Sequence, residues 1–275
     1  MLLIESRVDL AELERGAKGD NPRVQLQDSL RRIDEQIIGV NRPARNVFEV
    51  GPFTVMLDPT TDMIYANYAL PTSSEVSDEQ IADMVAVFQR EGRTPRLEFR
   101  KEACPGLAER LEANGFTLEM DNPVMLCDRS TFIPIFADGV EVEVLAPDGD
   151  IEGFLRSGNE AFGMDFPINQ ERITKTREAI ERGSWVCAIG RIEGDIAGSA
   201  AITPFGGVGE LAGVGTSPRF RRRGVASAVS SVLMERFFET NDLAWLSAGD
   251  DTARLVYERL GYRTVATQAN YSRVT

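Results

Sequence analysis

Apolar and charged positions alternate from Glu141 to Leu145, which predicts a strand. A helical period follows over Asp150–Phe162, then a loop with Met164, Phe166 and Pro167, then a second helical stretch over Asn169–Arg182. Strand-like runs come next at Trp185–Ile192, Ile196–Thr203 and Val208–Thr216, with Gly194-Asp195 and Gly206-Gly207 between them as hairpin turns. Pro218 closes the third run. From Val225 the period lengthens, and Val225, Ala228, Val229, Val232, Leu233 and Phe237 form one stripe of a helix that ends near Asn241. Leu243–Ser247 predicts a short buried strand, Thr252–Leu260 a helix stopped by Gly261, and Tyr262–Val274 closing strands. The order β-α-α-β-β-β-α-β-α-β places this half in the α/β class with a mixed sheet.

The first half is less regular. Gln25–Ile37 predicts a helix, Val47–Leu57 and Met63–Leu70 strands, and Asp78–Arg90 an amphipathic helix. Arg96–Phe99 predicts a strand, Leu107–Ala113 a helix, and Pro123–Leu126 a final strand. This ending echoes the other one: Leu107–Leu126 can be laid beside Leu255–Tyr271, with Gly115-Phe116 opposite Gly261-Tyr262. Chance similarity and a true repeat both fit. A true repeat predicts two related domains, 1–135 and 139–275, joined near Ser130–Gly139.

The 275 residues, 43% hydrophobic and 27% charged, are enough for a sizeable core. The chain has no histidine, which excludes Ser-His-Asp and Cys-His nucleophiles, histidine zinc sites and imidazole proton shuttles. A formal charge of -13 argues against nucleic acid as a partner, because phosphate attraction supplies most non-specific affinity. The acidic excess is heavier before Asp138 than after Gly139, so an anionic ligand fits the second half better. Cys104, Cys127 and Cys187 are scattered with no C-x-x-C, which predicts free thiols, no metal and a reducing compartment. Met1–Leu10 has no basic segment ahead of a long apolar run, and the uncharged stretch Ile196–Gly209 is shorter than the ~20 residues a bilayer requires. The expectation is a cytoplasmic protein with no membrane partner and an open oligomeric state.

The densest chemical signal is Val214-Gly215-Thr216-Ser217-Pro218-Arg219-Phe220-Arg221-Arg222-Arg223-Gly224-Val225-Ala226. A strand ends, a short loop carries four arginines and a glycine, and a helix begins. The first-turn N–H groups of a helix lack internal partners and its dipole favours negative charge there. Gly224 lets the backbone approach a bulky anion, and Ala226 keeps the first turn slim. Such a corner is a pyrophosphate cradle. The competing reading is a solvated basic loop before a surface helix.

These residues resemble the acyl-CoA-binding motif of the GNAT superfamily of N-acetyltransferases, [Arg/Gln]-x-x-Gly-x-[Gly/Ala], present as Arg221-x-x-Gly224-x-Ala226. Ala253-x-x-x-Tyr257-x-x-x-Gly261-Tyr262 resembles the family's second motif. The likeness covers roughly the last 135 residues. The first half resembles, more loosely, a degenerate copy without the cofactor loop. The resemblance implies a mixed-sheet α/β (α+β) GNAT-like acyl-CoA N-acyltransferase fold in two tandem domains. It also implies transfer of an acetyl group from acetyl-CoA, as co-substrate, to a primary amine of a small molecule or peptide.

By the same resemblance, the backbone of Val214, Gly215 and Thr216 lies along the pantetheine arm. The N–H groups of Arg222, Arg223, Gly224, Val225, Ala226 and Ser227 bind pyrophosphate, beside Arg221. Tyr257 stands near the sulfur as general acid. Asp250 departs from the family's usual asparagine. Gly213 and Gly215 replace common apolar residues, which suggests a bulge.

A free alkylamine has a pKa of ~10.4, so at pH 7 about one molecule in 2,500 is nucleophilic. Without histidine, Glu210 is the candidate base; as a plain strand residue it would be solvated. Tyr257 is also readable as a packing residue. Gly207-x-Gly209-x-x-Ala212 matches a dinucleotide fingerprint only formally, since it precedes a strand. Phe162, Met164 and Phe166 either wall the acceptor site or pack in the core. A non-catalytic acyl-CoA-binding or regulatory module, and a binder with no link to CoA, are the alternatives to an enzyme.

Overall fold

The computed structural model describes residues 22–274. The N-terminal stretch Met1–Leu10, where no leader is expected, lies outside them. The chain divides into two compact units, Met1–Val124 with Thr264–Thr275, and Met125–Arg263.

The first unit opens with α1 (Pro22–Asn41), longer at both ends than its periodicity predicts. β1 (Asn46–Val50) and β2 (Phe53–Leu57) form a hairpin, Val50 opposite Phe53, where the pattern predicts one strand. Gly51, at φ +54°, and Pro52 make the turn, a Gly-Pro signal that divides the predicted run. β3 (Tyr68–Pro71) is shorter than predicted because Ile64–Ala66 is a 3-10 turn. α2 (Asp78–Arg90), β4 (Arg96–Arg100), α3 (Leu107–Ala113) and β5 (Thr117–Asp128) follow, the last three times the expected length. Phe53, Val55, Leu97 and Phe99 bury their side chains against Ile81, Met84 and Phe88 of α2.

The second unit holds β6 (Glu141–Val144), α4 (Ile151–Phe162), α5 (Gln170–Glu181), β7 (Val186–Ile192), β8 (Asp195–Phe205), β9 (Val208–Thr216), α6 (Val225–Phe238), β10 (Leu243–Ser247) and α7 (Asp251–Arg259). Its sheet runs β10-β9-β8-β7-β6, with β9 and β10 parallel and the rest antiparallel. The two-residue hairpin loops have positive φ at both central residues, the primed turns that suit strand twist. One is Gly206-Gly207 as expected. The other is Glu193-Gly194, one residue earlier than the sequence suggests. Val225, Val229, Leu233 and Phe237 of α6 pack with Ala188, Ala200 and Leu211 on one face of the sheet. Ile151, Phe154 and Leu155 of α4 pack with Cys187, Ile189 and Ala201 on the other.

β11 (Arg263–Ser272) is one strand, not several, and it pairs antiparallel with β4 from Gln268–Arg100 to Ser272–Arg96. The sheet of the first unit is therefore β1-β2-β3-β4-β11-β5. The chain end belongs with the first unit, whereas a domain boundary at 139–275 would keep it in the second.

The echo between the two helix endings has matching geometry. After α3, Gly115 N–H donates to Glu112 and Phe116 N–H to Leu111; after α7, Gly261 N–H donates to Glu258 and Tyr262 N–H to Tyr257. Both glycines are left-handed, at φ +79° and +94°. This is one C-cap motif used twice, and it sets Leu111 opposite Tyr257. The two corners differ in space. A Cβ on Gly261 would lie 1.9 Å from the Thr131 carbonyl oxygen, while one on Gly115 would meet only the Arg273 side chain at 3.6 Å. Gly115→Ala is expected to cost ~1–2 kcal/mol, the left-handed penalty alone. Gly261→Ala should cost well beyond that, because backbone must also move. Denaturant midpoints of the two variants check the order.

Candidate functional site

The loop between β9 and α6 is built from local rules. Pro218 starts a 3-10 turn over Pro218–Phe220. Arg222, at φ +64°, and Gly224, at φ +78°, then take left-handed conformations that turn the chain into α6. Gly224 is the N-cap and has no side chain to offer; a Cβ there would lie 2.7 Å from Ala137 Cβ. Ala228 N–H makes the first helical bond, to the Gly224 carbonyl at 3.0 Å. The N–H groups from Arg222 to Ser227 have no protein acceptor among the described residues. Val225 turns its side chain into the core and offers only its backbone.

The arginines divide their work. Arg219 pairs with Asp195 at 3.1 Å and stacks on Phe220 at 4.5 Å. Arg223 lies 5.9 Å from the same ring. Arg221 donates to the Ala161 carbonyl at the end of α4, 3.2 Å. The buried Ser217 hydroxyl donates to Glu160 at 2.6 Å. This bracing of the loop by α4 is not predicted by the sequence pattern; only the serine before Pro218 hints at it.

β9 carries the bulge that its glycines suggest. Ser199 faces Gly215 and Ala201 faces Ala212, so Gly213, at φ +60°, and Val214 oppose a single residue of β8. On its other side β9 pairs with β10 at three positions, ending at Glu210–Trp245. Beyond that rung β9 runs on to Thr216 with that edge unpaired by β10. An open strand edge thus leads to uncapped helix amides. That arrangement fits an extended ligand ending in an anion, and coenzyme A has this form: an amide-bearing arm and a diphosphate.

Glu210 and Tyr257 stand on opposite faces of this sheet. Leu211 packs with α6, so by alternation Glu210 points to the α4 face, sharing its rung with Thr203 and Trp245. Tyr257 lies in the α6-side core, edge-on to Tyr262 at 5.8 Å. Burial, then the nearby Asp250 charge, pushes its hydroxyl up to about 12. That hydroxyl makes no hydrogen bond among the described residues. Asp250 is structural: it caps α7, accepting from Ala253 N–H at 2.7 Å.

In the first unit the start of α2 is closed. Ser77 Oγ accepts from Gln80 N–H at 3.2 Å, and Gln80 Oε1 from Ser77 N–H at 2.9 Å. This capping box uses amides that α6 leaves open. A cavity of about 570 Å³ beside it is lined in part by Glu75 and Arg110, the latter held by Asp78 at 3.0 Å.

The acetyltransferase (GNAT) family model matches residues 153–262, from α4 through the turn after α7. The chain carries a GNAT acetyltransferase domain. A GCN5-related N-acetyltransferase from Kribbella flavida is 26% identical, with a TM-score of 0.75 over 90% of this chain and 96% of that one. A GCN5-related N-acetyltransferase from Sphaerobacter thermophilus is 17% identical, with a TM-score of 0.63 over 90% of both chains. A tandem GNAT protein from the clavulanic acid biosynthesis pathway is 12% identical, with a TM-score of 0.61 over 91% of this chain and 94% of that one; these last two share the fold. No curated protein matches by sequence. The GNAT family transfers acyl groups from acyl-CoA, and the open strand edge and helix corner lie inside the matched segment. Among the described residues, no helix is long and apolar enough to cross a membrane.

Proposed function

We propose that the second unit is an N-acetyltransferase moving an acetyl group directly from acetyl-CoA to a primary amine, in the cytoplasm. The first unit is a related copy that has lost the cofactor loop. The observation that carries this reading is the end of the β9–β10 ladder at Glu210–Trp245, which opens β9 toward the uncapped amides of α6.

The pantetheine arm adds along Val214, Gly215 and Thr216, as a peptide adds to a sheet edge. The N–H groups of Arg222, Arg223, Gly224, Val225, Ala226 and Ser227 hold the diphosphate, with Arg221, Arg222 and Arg223 supplying positive charge. The Val214 N–H stabilises charge growing on the thioester oxygen. The amine nitrogen bonds to the carbonyl carbon and the carbon–sulfur bond breaks. Glu210 takes the amine proton, and Tyr257 donates toward the departing sulfur.

Leu111 at the place of Tyr257, and the closed cap of α2, support loss of chemistry in the first unit. A reducing compartment is supported by Cys104, Cys127 and Cys187, free and buried, with thiols pushed up by burial to about 11, 11 and 12.

Calorimetry with coenzyme A, and thiol release from acetyl-CoA against a broad amine panel, test the reading. Saturable binding and amine-dependent release are expected. Binding without release for any amine makes the unit a binding module, and absence of binding overturns the cofactor site.

A further inference from the structure

Ser217 enters the loop before α6 with its backbone groups already used. Its N–H donates to the Ala197 carbonyl at 2.9 Å, and its carbonyl accepts from Phe220 N–H at 2.9 Å. Pro218 then fixes the next backbone angle. The side chain remains, and Ser217 is only 1% exposed. Its hydroxyl donates to Glu160, in the last turn of α4, at 2.6 Å. That length is typical of a hydroxyl bonded to a charged carboxylate, which is among the stronger hydrogen bonds a protein makes. Two more contacts tie the same turn of α4 to the same stretch of chain. Arg221 donates to the Ala161 carbonyl at 3.2 Å, a cation at the helix end where the dipole favours it. A Cβ on Gly215 would lie 2.6 Å from Ala161 Cβ and 3.2 Å from the Phe162 ring, so β9 and α4 approach at a distance that only glycine permits.

The sign of Glu160 is the odd feature. The side chain is exposed and reaches the entry of a loop that carries Arg219, Arg221, Arg222 and Arg223. A carboxylate there has the same sign as the diphosphate assigned to this corner, so its charge opposes the ligand. Its hydrogen bond does the reverse. A turn that leaves its binding shape loses affinity in proportion to the time spent away from it. Val225 anchors the exit of the loop in the core, and Glu160 anchors the entry.

We propose that Glu160 is a positioning residue for the cofactor corner. Through the Ser217 hydroxyl it fixes the turn that aims the amides from Arg222 to Ser227, and it acts by its hydrogen bond, not by its charge. This rests on the reading of that corner as the coenzyme A site.

The test is the coenzyme A Kd of the full chain, by calorimetry, in Glu160→Ala, Glu160→Gln, Ser217→Ala and the double variant Glu160→Ala with Ser217→Ala. Glu160→Ala should weaken binding about tenfold, the scale of one lost hydrogen bond. Glu160→Gln keeps an acceptor and loses the charge, so its Kd should stay within about twofold of wild type, on the tighter side if either. Ser217→Ala should lose as much as Glu160→Ala, and the double variant no more than either, because the two side chains make one bond. Losses that add, an unchanged Kd in Glu160→Ala, or a Glu160→Gln Kd nearer to that of Glu160→Ala than to wild type overturns the proposal. Hydrogen exchange of the free protein reads the same hold without ligand. The Ser217 and Phe220 amides should exchange faster in Glu160→Ala, while amides in the middle of α6 stay as in wild type. A wild type that does not bind coenzyme A overturns the cofactor reading. In that case faster exchange at Ser217 and Phe220 keeps the positioning role of Glu160, and unchanged exchange overturns it.

Discussion

Gly224→Val is expected to weaken coenzyme A binding about a hundredfold while the protein stays folded. Gly224 sits at φ +78°, where a side chain costs ~1–2 kcal/mol and a β-branched one more. The first added carbon already lies 2.7 Å from Ala137 Cβ. The cheapest escape is a change in the turn, and the turn is what aims the amides from Arg222 to Ser227. A hydrogen bond to a charged group contributes ~1.5–3 kcal/mol, so misplacing two of them costs about two orders of magnitude or more. The exposed loop can rearrange without emptying the core, since Val225 below it packs independently. Calorimetry with coenzyme A measures the loss, and inorganic pyrophosphate as competitor locates it at the diphosphate. Pyrophosphate should displace coenzyme A from the wild type and have little left to displace in the variant. An unchanged Kd in a variant with a normal circular dichroism spectrum would remove the cradle from the mechanism.

That corner is legible because its physics is local: a strand stop at Pro218, cations, a glycine and a helical stripe from Val225 occur in consecutive residues. Helices and antiparallel strands of the second unit are legible for the same reason, with periods written in short windows. What escapes the sequence depends on distant residues. The Gly51-Pro52 turn is written in the sequence, but β2 is buried throughout and its side chains read on from β1 as one strand. β11 joins the first unit through its ladder with β4, a pairing across 168 positions in the case of Gln268 and Arg100 that no local pattern encodes. Asp250 departs from the family's usual asparagine, and its use as the α7 cap explains the acid without any ligand. The Ser217–Glu160 bond links loop and α4 across 57 residues. The face of Gly215 also escapes a simple reading, because the bulge at Gly213-Val214 breaks the alternation beyond it.

Tyr257→Phe is expected to lower kcat by about tenfold to a hundredfold, with the coenzyme A Kd and the melting temperature almost unchanged. The ring packs edge-on against Tyr262 at 5.8 Å and phenylalanine preserves that contact. The hydroxyl has no partner among the described residues whose loss would destabilise the fold, so a change in kcat alone separates a chemical role from packing. The size of the effect follows from acidity. Burial pushes the Tyr257 hydroxyl up to about 12, while a thiol such as the leaving group has a pKa of ~8.5. Complete proton transfer from Tyr257 to sulfur therefore runs uphill by roughly three and a half orders of magnitude. Donation of a hydrogen bond to the growing thiolate has no such penalty and contributes ~1.5–3 kcal/mol, which sets the expected loss. A fall beyond a thousandfold would instead require full transfer, and no fall at all would return Tyr257 to the core. The same acidity fixes the pH behaviour. The native tyrosine keeps its proton through the range where a free tyrosine, near 10, gives it up, so kcat shows no falling limb from Tyr257 between pH 7 and 10. Above pH 10 the unfolded chain releases a proton that the folded chain retains, and stability falls as pH rises toward 12. Tyr257→Phe should remove that share of the alkaline decline, a difference that melts of the two proteins at pH 9 and 11 resolve.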